Sequence, residues 1–468
     1  MRISALIFLS FLVNISFGQE VWTLEKCIEY ALEHNISIKQ SELNVQSSRQ
    51  DQISRRGSVL PSLNGSASNN YNFGRTVDPF TNEFTTETIQ SANFGLSSSW
   101  TLFNGLQNWH GMRKAELDLI ASRFDLDAIK NDISINVALA YLNILMAKEA
   151  VSIAEEQLLL TNEQVKRIEQ LVVAGAEAKG SLFDIKAQQA TDEQSLVNAE
   201  NQLIMANLNM GILLELDDPA AFKAASADFK MPSGRLLQAS PERIFKNAVE
   251  AQPMLKAASV RILSAERQVK MARGGLLPRL SANASMGTGF SNGRLRLANT
   301  NFLGFDTIYT NGGDYITNPI YEPIYEPTPF EEQFRDNFSQ TFGLVLTVPI
   351  FNGWSNRTSI NRAKIGLLSA QYNYEQNENN LRQSIYQAHA DANAALKRYN
   401  AALRSVEALR EAFNYTSERY RLGVVNSYDF SDAKTRLTRA ESDLLQAKYD
   451  YIFKLRILEF YNSSSLTY

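Results

Sequence analysis

The chain has 468 residues, 44% hydrophobic and 21% charged, so it is neither a disordered segment nor a low-complexity one. Lys and Arg total 46 against 50 Asp and Glu, a net charge of −4, which leaves no basic excess to neutralise phosphates and argues against a nucleic-acid partner. The single cysteine, Cys27, excludes an intrachain disulfide and a cysteine-built metal cage, and a mean hydropathy of −0.24 is too polar for a bundle of membrane-spanning helices.

Residues 1–18 read as a secretory signal: Arg2, an apolar run from Ile3 to Val13, then small Ser16 and Gly18 before a cut at Gln19. The run is too short to span a bilayer as a helix. No cysteine follows the cut directly, which argues against a lipid anchor there.

The rest of the chain is one unit written twice. Arg56-Gly57, Leu60-Pro61 and Leu63 recur as Arg273-Gly274, Leu277-Pro278 and Leu280, at an offset of 217. Beyond residue 90 the offset is 248: Phe94-Gly95-Leu96 recurs as Phe342-Gly343-Leu344, Phe103-Asn104-Gly105 as Phe351-Asn352-Gly353, Gly175 as Gly423, and Lys186 as Lys434. The change is one insertion of 31 residues between about 290 and 337. The expected organisation is a first repeat over 19–214, a linker over 215–239, a second repeat over 240–462 and a tail over 463–468.

In chain order, each copy opens with a helix (24–57 and 241–274), followed by two strands. Residues 62–73 alternate Leu63, Gly65, Ala67, Asn69 and Tyr71 against serines and asparagines, and 279–290 repeat the pattern. The second strands, 92–103 and 338–350, put Phe94, Leu96, Trp100 and Leu102, or Phe342, Leu344 and Leu346, on one face. Each strand is about 11 residues, the length of a tilted strand crossing a bilayer. A soluble half-buried sheet patterns the same way; the small, polar second face favours a water-filled lumen. Four strands cannot close a barrel, and open edges cannot face lipid, so membrane strands would have to be pooled between chains.

Long helices follow over 106–173 and 354–420. In the first, a stripe from Ala115 to Val172 covers 57 residues in 16 steps, a mean of 3.56. No proline interrupts either segment. Each helix is on the order of 100 Å long at 1.5 Å per residue. Each ends at a glycine turn, Gly175 or Gly423, and a return helix follows over 181–214 or 429–461. Return and opening helices together match the long helix in length and could stack end to end beside it. The stripe alone also fits a plain coiled-coil rod.

This order resembles the outer membrane efflux protein family, the TolC-like channels. The resemblance covers essentially the whole chain after residue 18. It rests on Leu60-Pro61 and Leu277-Pro278, on Phe103-Asn104-Gly105 and Phe351-Asn352-Gly353, and on the tip Tyr420-Arg421-Leu422-Gly423 with Asp429 and Asp432. It implies a fold that is mainly α with a β membrane section: duplicated helical hairpins and four strands per chain, pooled in a homotrimer into a 12-stranded β-barrel atop an α-helical barrel. It implies an outer-membrane channel embedded in lipid and extending into the periplasm. Such a channel docks through a periplasmic adaptor to an inner-membrane transporter and passively conducts that pump's substrates. No catalysis and no cofactor are expected.

The resemblance places Asp429, Asp432 and Tyr420 at a periplasmic aperture, and the turns at Gly175 and Gly423 at the docking tip. Asp429 and Asp432 share a helix face, so three chains would crowd their carboxylates around one axis. The bland alternative is helix capping by Asp429 and a solvated Asp432. The first copy keeps Asp184 but has Ser181 opposite Asp429, and Val425 stands where the family often has an arginine. The insertion repeats Pro-Ile-Tyr-Glu at 319–322 and 323–326. Residues 306–336 hold seven acids and one Arg, which reads as a solvated surface loop. His34, His110 and His389 read as helix-surface residues, and no nucleophile elbow, phosphate loop or metal-spaced cluster is present. A periplasmic structural or adaptor protein built on coiled-coil hairpins remains the competing reading.

Overall fold

The computed structural model describes residues 22–78, 80, 82–86, 88–225, 234–309 and 311–463. The signal expected over 1–18, part of the linker and residues 464–468 lie outside them. The chain runs α1 (Leu24–His34), α2 (Ile36–Gly57), β1 (Ser62–Asn72), β2 (Thr76–Val77), β3 (Phe84–Thr85), β4 (Ile89–Asn104), α3 (Gln107–Val173) and α4 (Lys179–Leu213). After two short 3-10 turns it continues with α5 (Pro241–Ala251), α6 (Pro253–Gly274), β5 (Arg279–Ser291), β6 (Leu295–Tyr309), β7 (Tyr315–Pro327), α7 (Phe330–Asp336), β8 (Ser339–Thr347), α8 (Ser355–Arg421) and α9 (Ser427–Ser463).

Two expectations are corrected. The opening helix of each copy is two helices. Asn35 ends α1, and its Oδ1 accepts from the N–H groups of Ser37 (2.9 Å) and Ile38 (3.4 Å), so one side chain caps α2. Gln252 breaks the second copy at the equivalent place, because Pro253 disfavours helical geometry in the residue before it. The insertion is likewise not an irregular loop. Its β6 and β7 form an antiparallel hairpin, with register shifts at Leu297/Asn299 and Phe302/Gly304. These bulges keep the pairs Leu297–Tyr325, Phe302–Tyr321, Phe305–Pro319 and Tyr309–Tyr315 on one uncharged face. The opposite face carries Arg296 paired with Glu326 at 2.6 Å.

The chain forms two compact units that cut across the repeats. One comprises residues up to Ser48, Asp118–Ile262 and from Ser369 on; the other is Arg49–Leu117 with Leu263–Leu368.

In the first unit, helices run antiparallel in pairs. Lys186 meets Glu169 (2.8 Å) and Gln189 meets Asn162 (2.7 Å), which lays α4 along the far part of α3. Lys130 meets Glu42 (3.7 Å), so α2 runs beside the near part. Arg410–Glu441 and Arg398–Asp450, both 2.8 Å, do the same for α8 and α9. Val137, Tyr141 and Ile144 of α3 are fully buried in a core with Cys27, Ala31, Met210 and Leu214. A second core joins Ile244, Phe245 and Ala248 of α5 to Leu381 and Ile385 of α8 and Leu458 of α9. By length and composition α3 is the one helix among the described residues apolar enough to cross a membrane, and this stretch holds the larger core.

In the second unit, four antiparallel strands are ordered β1-β4-β5-β8, leaving β1 and β8 as open edges. Ser62 faces Ser99 and Arg279 faces Thr347, the same pairing displaced by the two repeat offsets. β8 stops before Pro349, which has no N–H to give to a ladder.

Candidate functional site

The predicted site residues all lie at the hairpin ends of the first unit, and the sheet of the second unit carries a separate apolar surface. Both long helices end in the same turn. Gly175 (φ +72°) donates to Val172 O, and Ala176 to Leu171 O at 2.8 Å; Gly423 (φ +74°) donates to Tyr420 O, and Val424 to Arg419 O at 2.9 Å. This crossed pair of bonds needs a left-handed residue, which is why glycine stands at both positions.

Asp429 lies in the first turn of α9 and is exposed, and its N–H is capped by Asn426 Oδ1 at 2.9 Å. The cap of this helix is therefore Asn426 and not Asp429. Asp432, half-buried one turn on, is turned along the helix into an ion pair with Arg436 at 2.9 Å. Ser181, the first copy's counterpart of Asp429, donates to Glu177 at 2.7 Å.

Tyr420 is half-buried. Its ring stacks on Phe430 at 4.8 Å and packs against the Val165–Ile168–Ile185 cluster of the first hairpin. The Arg167 guanidinium lies 5.9 Å over that ring and donates to Arg421 O at 3.1 Å. Burial first, then Glu177, push the Tyr420 phenol up while Arg167 opposes them, so it stays neutral at physiological pH. Val425 stands where the family often has an arginine, and the arginine at this turn is Arg167 of α3, which sequence reasoning did not single out.

Further from the turn, Lys434 is buried, 4% exposed. Its ammonium donates to Gln157 O and to Asp192 Oδ2, both at 2.9 Å, and to the Thr161 hydroxyl. Gln188 steadies the other Asp192 oxygen at 2.8 Å. This buried pair ties α9 to both helices of the first hairpin. Displaced by 248, its acceptors become Ser405, Leu409 and Ala440, and the matching Lys186 instead makes an exposed pair with Glu169. The lock is built on one copy only. A lysine among Phe430, Leu437 and Ala440 was the available signal.

On the sheet, the registers put Ala67, Phe94 and Thr288 in one row and Gly65, Leu96 and Met286 in the next. Leu63, Phe342, Leu344 and Leu346 on this apolar face are all 60–74% exposed. Trp100, Trp109 and Trp354 lie at one end of the unit, with arginines over two of the rings: Arg113 at 5.8 Å from Trp109 and Arg357 at 4.8 Å from Trp354. Phe94, Phe290 and Phe330 stand towards the other end, Phe290 and Phe330 5.5 Å apart. An apolar band flanked by aromatic residues is the chemistry of a strand surface in a bilayer. Gly105 (φ +65°) abuts Gly274: a Cβ on Gly105 would lie 2.1 Å from Gly274 O. Their counterparts Gly353 and Gly57 meet nothing within 4 Å. Among the described residues, no group of His, Cys, Asp and Glu could hold a metal ion.

A sequence profile described as "Outer membrane efflux protein" matches residues 27–213 and 244–459. The chain is 22% identical over 432 residues to the outer membrane efflux protein BepC of Brucella suis, covering 92% of this chain and 83% of that protein. It is 22% identical over 382 residues to the outer membrane protein TolC of Escherichia coli, covering 76% and 71%. The fold is that of the outer membrane protein VceC of Vibrio cholerae, with a TM-score of 0.73 at 16% identity over 94% of this chain and 96% of that one.

Proposed function

The chain belongs to the outer membrane efflux protein family and is an outer-membrane exit duct of an efflux or secretion system; from that premise we propose that it works as a homotrimer whose aperture is formed at the α8–α9 tip. The observation that carries this reading is the pair of open sheet edges. In lipid an open edge costs several kcal/mol per unpaired group, so β8 of one copy pairs with β1 of the next. Three four-stranded sheets then close a barrel whose apolar face meets outer-membrane lipid.

At the α8–α9 tip, Tyr420, Asp429 and Asp432 set the aperture. Asp429 presents its carboxylate to the passage, while Arg436 offsets part of the charge of Asp432. Within one chain the hairpins are tied by Lys434 and Asp192; between chains, the repeat places Lys186 opposite Leu409 and Ala440, with no acid. The seam between copies is therefore the one that yields on opening. The turns at Gly175 and Gly423 offer the docking surface for a periplasmic adaptor and, through it, an inner-membrane transporter. The chain contributes a passage and no chemistry of its own.

Conductance of the mature protein in planar bilayers tests this. The expected result is a small, cation-selective conductance that loses selectivity in Asp429→Ala/Asp432→Ala, Asp429 being the larger contributor. An unchanged double variant would reduce both acids to charges at a helix start. Correctly assembled trimers that never conduct would remove the pore.

A further inference from the structure

The short helix α7 lies on the apolar face of the sheet. Phe330 and Phe334 contact Phe94 at 6.4 and 5.9 Å, and Phe94 belongs to the row that carries Ala67 and Thr288. The helix is held rigidly. Thr288 Oγ1 donates to Phe334 O at 2.5 Å, and Asn337 Nδ2 to Gly289 O at 2.7 Å. The fully buried Gln333 accepts from Ser291 N at 2.9 Å and donates to Ser291 O (2.9 Å) and Thr328 O (2.8 Å). Despite this anchoring, Phe330, Phe334 and Phe338 remain 42–50% exposed. Between the helix and the strands runs a groove of about 490 Å³, floored by Gly65, Leu96 and Met286 and walled by Phe94, Phe334 and Phe338. No charged side chain lines it. Glu331 and Arg335 lie on other sides of the helix, both exposed.

We propose that α7 is an interfacial wedge and that the groove beneath it holds an acyl chain of a lipid of the surrounding membrane. The proposal rests on the reading that this face of the sheet meets the bilayer. Three features single out an acyl chain as occupant. By the strand register the groove's Met286 stands one same-face row from the Ala284–Phe342 pair, where the exposed band of Phe342, Leu344 and Leu346 begins, so whatever solvates the band lies next to the groove. It lies over β1, β4 and β5 and opens on the apolar face of the sheet, which in-plane pairing of β8 with β1 leaves uncovered. Gly65, Ala67, Gly95 and Gly287 in its lining leave room for a trough between the larger side chains, and a flexible hydrocarbon can fill that without a hydrogen bond. The exposed Arg335 and Glu331 would sit at headgroup level, as an aromatic and charged flank does at a membrane boundary.

Nitroxide labelling tests it in vesicles of phosphatidylethanolamine and phosphatidylglycerol. Cys27 is fully buried and its thiol is pushed up to about 12 by burial, so it does not compete for the label. Labels on Phe334→Cys and Phe338→Cys should collide several-fold more with oxygen than with a water-soluble nickel chelate, and a label on Glu331→Cys should show the reverse. Ala67→Phe, which fills the trough, should release about one motionally restricted spin-labelled lipid per chain. Chelate access at 334 and 338 equal to that at 331 would overturn the wedge, and loss of access to both reagents would mean that protein covers the groove. An unchanged restricted-lipid count in Ala67→Phe would overturn the acyl site. A label on Leu344→Cys separates the two readings. If it prefers oxygen while 334 and 338 do not, the wedge alone fails; if it too is reached by the chelate, the membrane face itself is wrong.

Discussion

Lys434 shows how much a single side chain can decide here. Its ammonium is buried, and Asp192, 12% exposed, compensates it at 2.9 Å. Removing one member of such a pair leaves the other charged in a poor solvent, a loss of roughly 3–5 kcal/mol. Lys434→Met is expected to lower the thermal midpoint markedly, and Lys434→Met/Asp192→Leu to recover most of the loss. A double variant as unstable as the single one would show that packing, not charge, holds this contact. Arg167 works more gently, through an exposed carbonyl bond and a ring contact with Tyr420. Tyr420, three residues before Gly423, and Asp429 and Asp432, six and nine after it, were legible from the sequence through the family resemblance at that turn. Arg167 was not, since its partners lie 253 and 254 positions away and nothing local marks it.

Among the elements, the long helices and the sheet strands were readable because their periodicity runs uninterrupted. The breaks at Asn35 and Gln252 were not: apolar spacing continues across each one, and a single capping side chain or a following proline outweighs it. Asn35→Ala should cost about 1 kcal/mol, the ordinary value of a lost helix cap, while Asn35→Asp keeps the acceptor and most of the stability. Thermal unfolding of the two variants checks this; equal midpoints would remove the cap's role. The insertion was legible as an acidic segment, yet its regular pairing depends on two bulges that composition does not reveal.

For the assembled molecule, the repeat makes a numerical prediction. Within the chain β4 pairs with β5 so that Ser97 faces Ser285. The offsets of 248 and 217 carry that pair to Val345 of one copy and Ser68 of the next. Ser68→Cys/Val345→Cys should form an intermolecular disulfide giving covalent trimers, and the slipped pair Ser66→Cys/Val345→Cys should not. The two edges are three strand spacings apart, about 14 Å, beyond the reach of an intrachain bond. Efficient cross-linking of the slipped pair would refute the register. In the proposed trimer the same offsets would set Gly353 of one copy against Gly57 of the next, as Gly105 abuts Gly274 within the chain, and would fill the space that each leaves empty.

Duplication, strand alternation and the helical stripe are local or periodic properties, and from them the sequence by itself determined the architecture, the membrane-length strands and the family likeness. What only the tertiary structure decided are contacts between residues far apart in the chain: the Lys434–Asp192 lock on one copy alone, Arg167 over Tyr420, and α7 on the apolar face of the sheet. Periodicity reports which face of an element is apolar. It does not report which distant side chain that face meets, and burial and charge pairing are settled by that meeting.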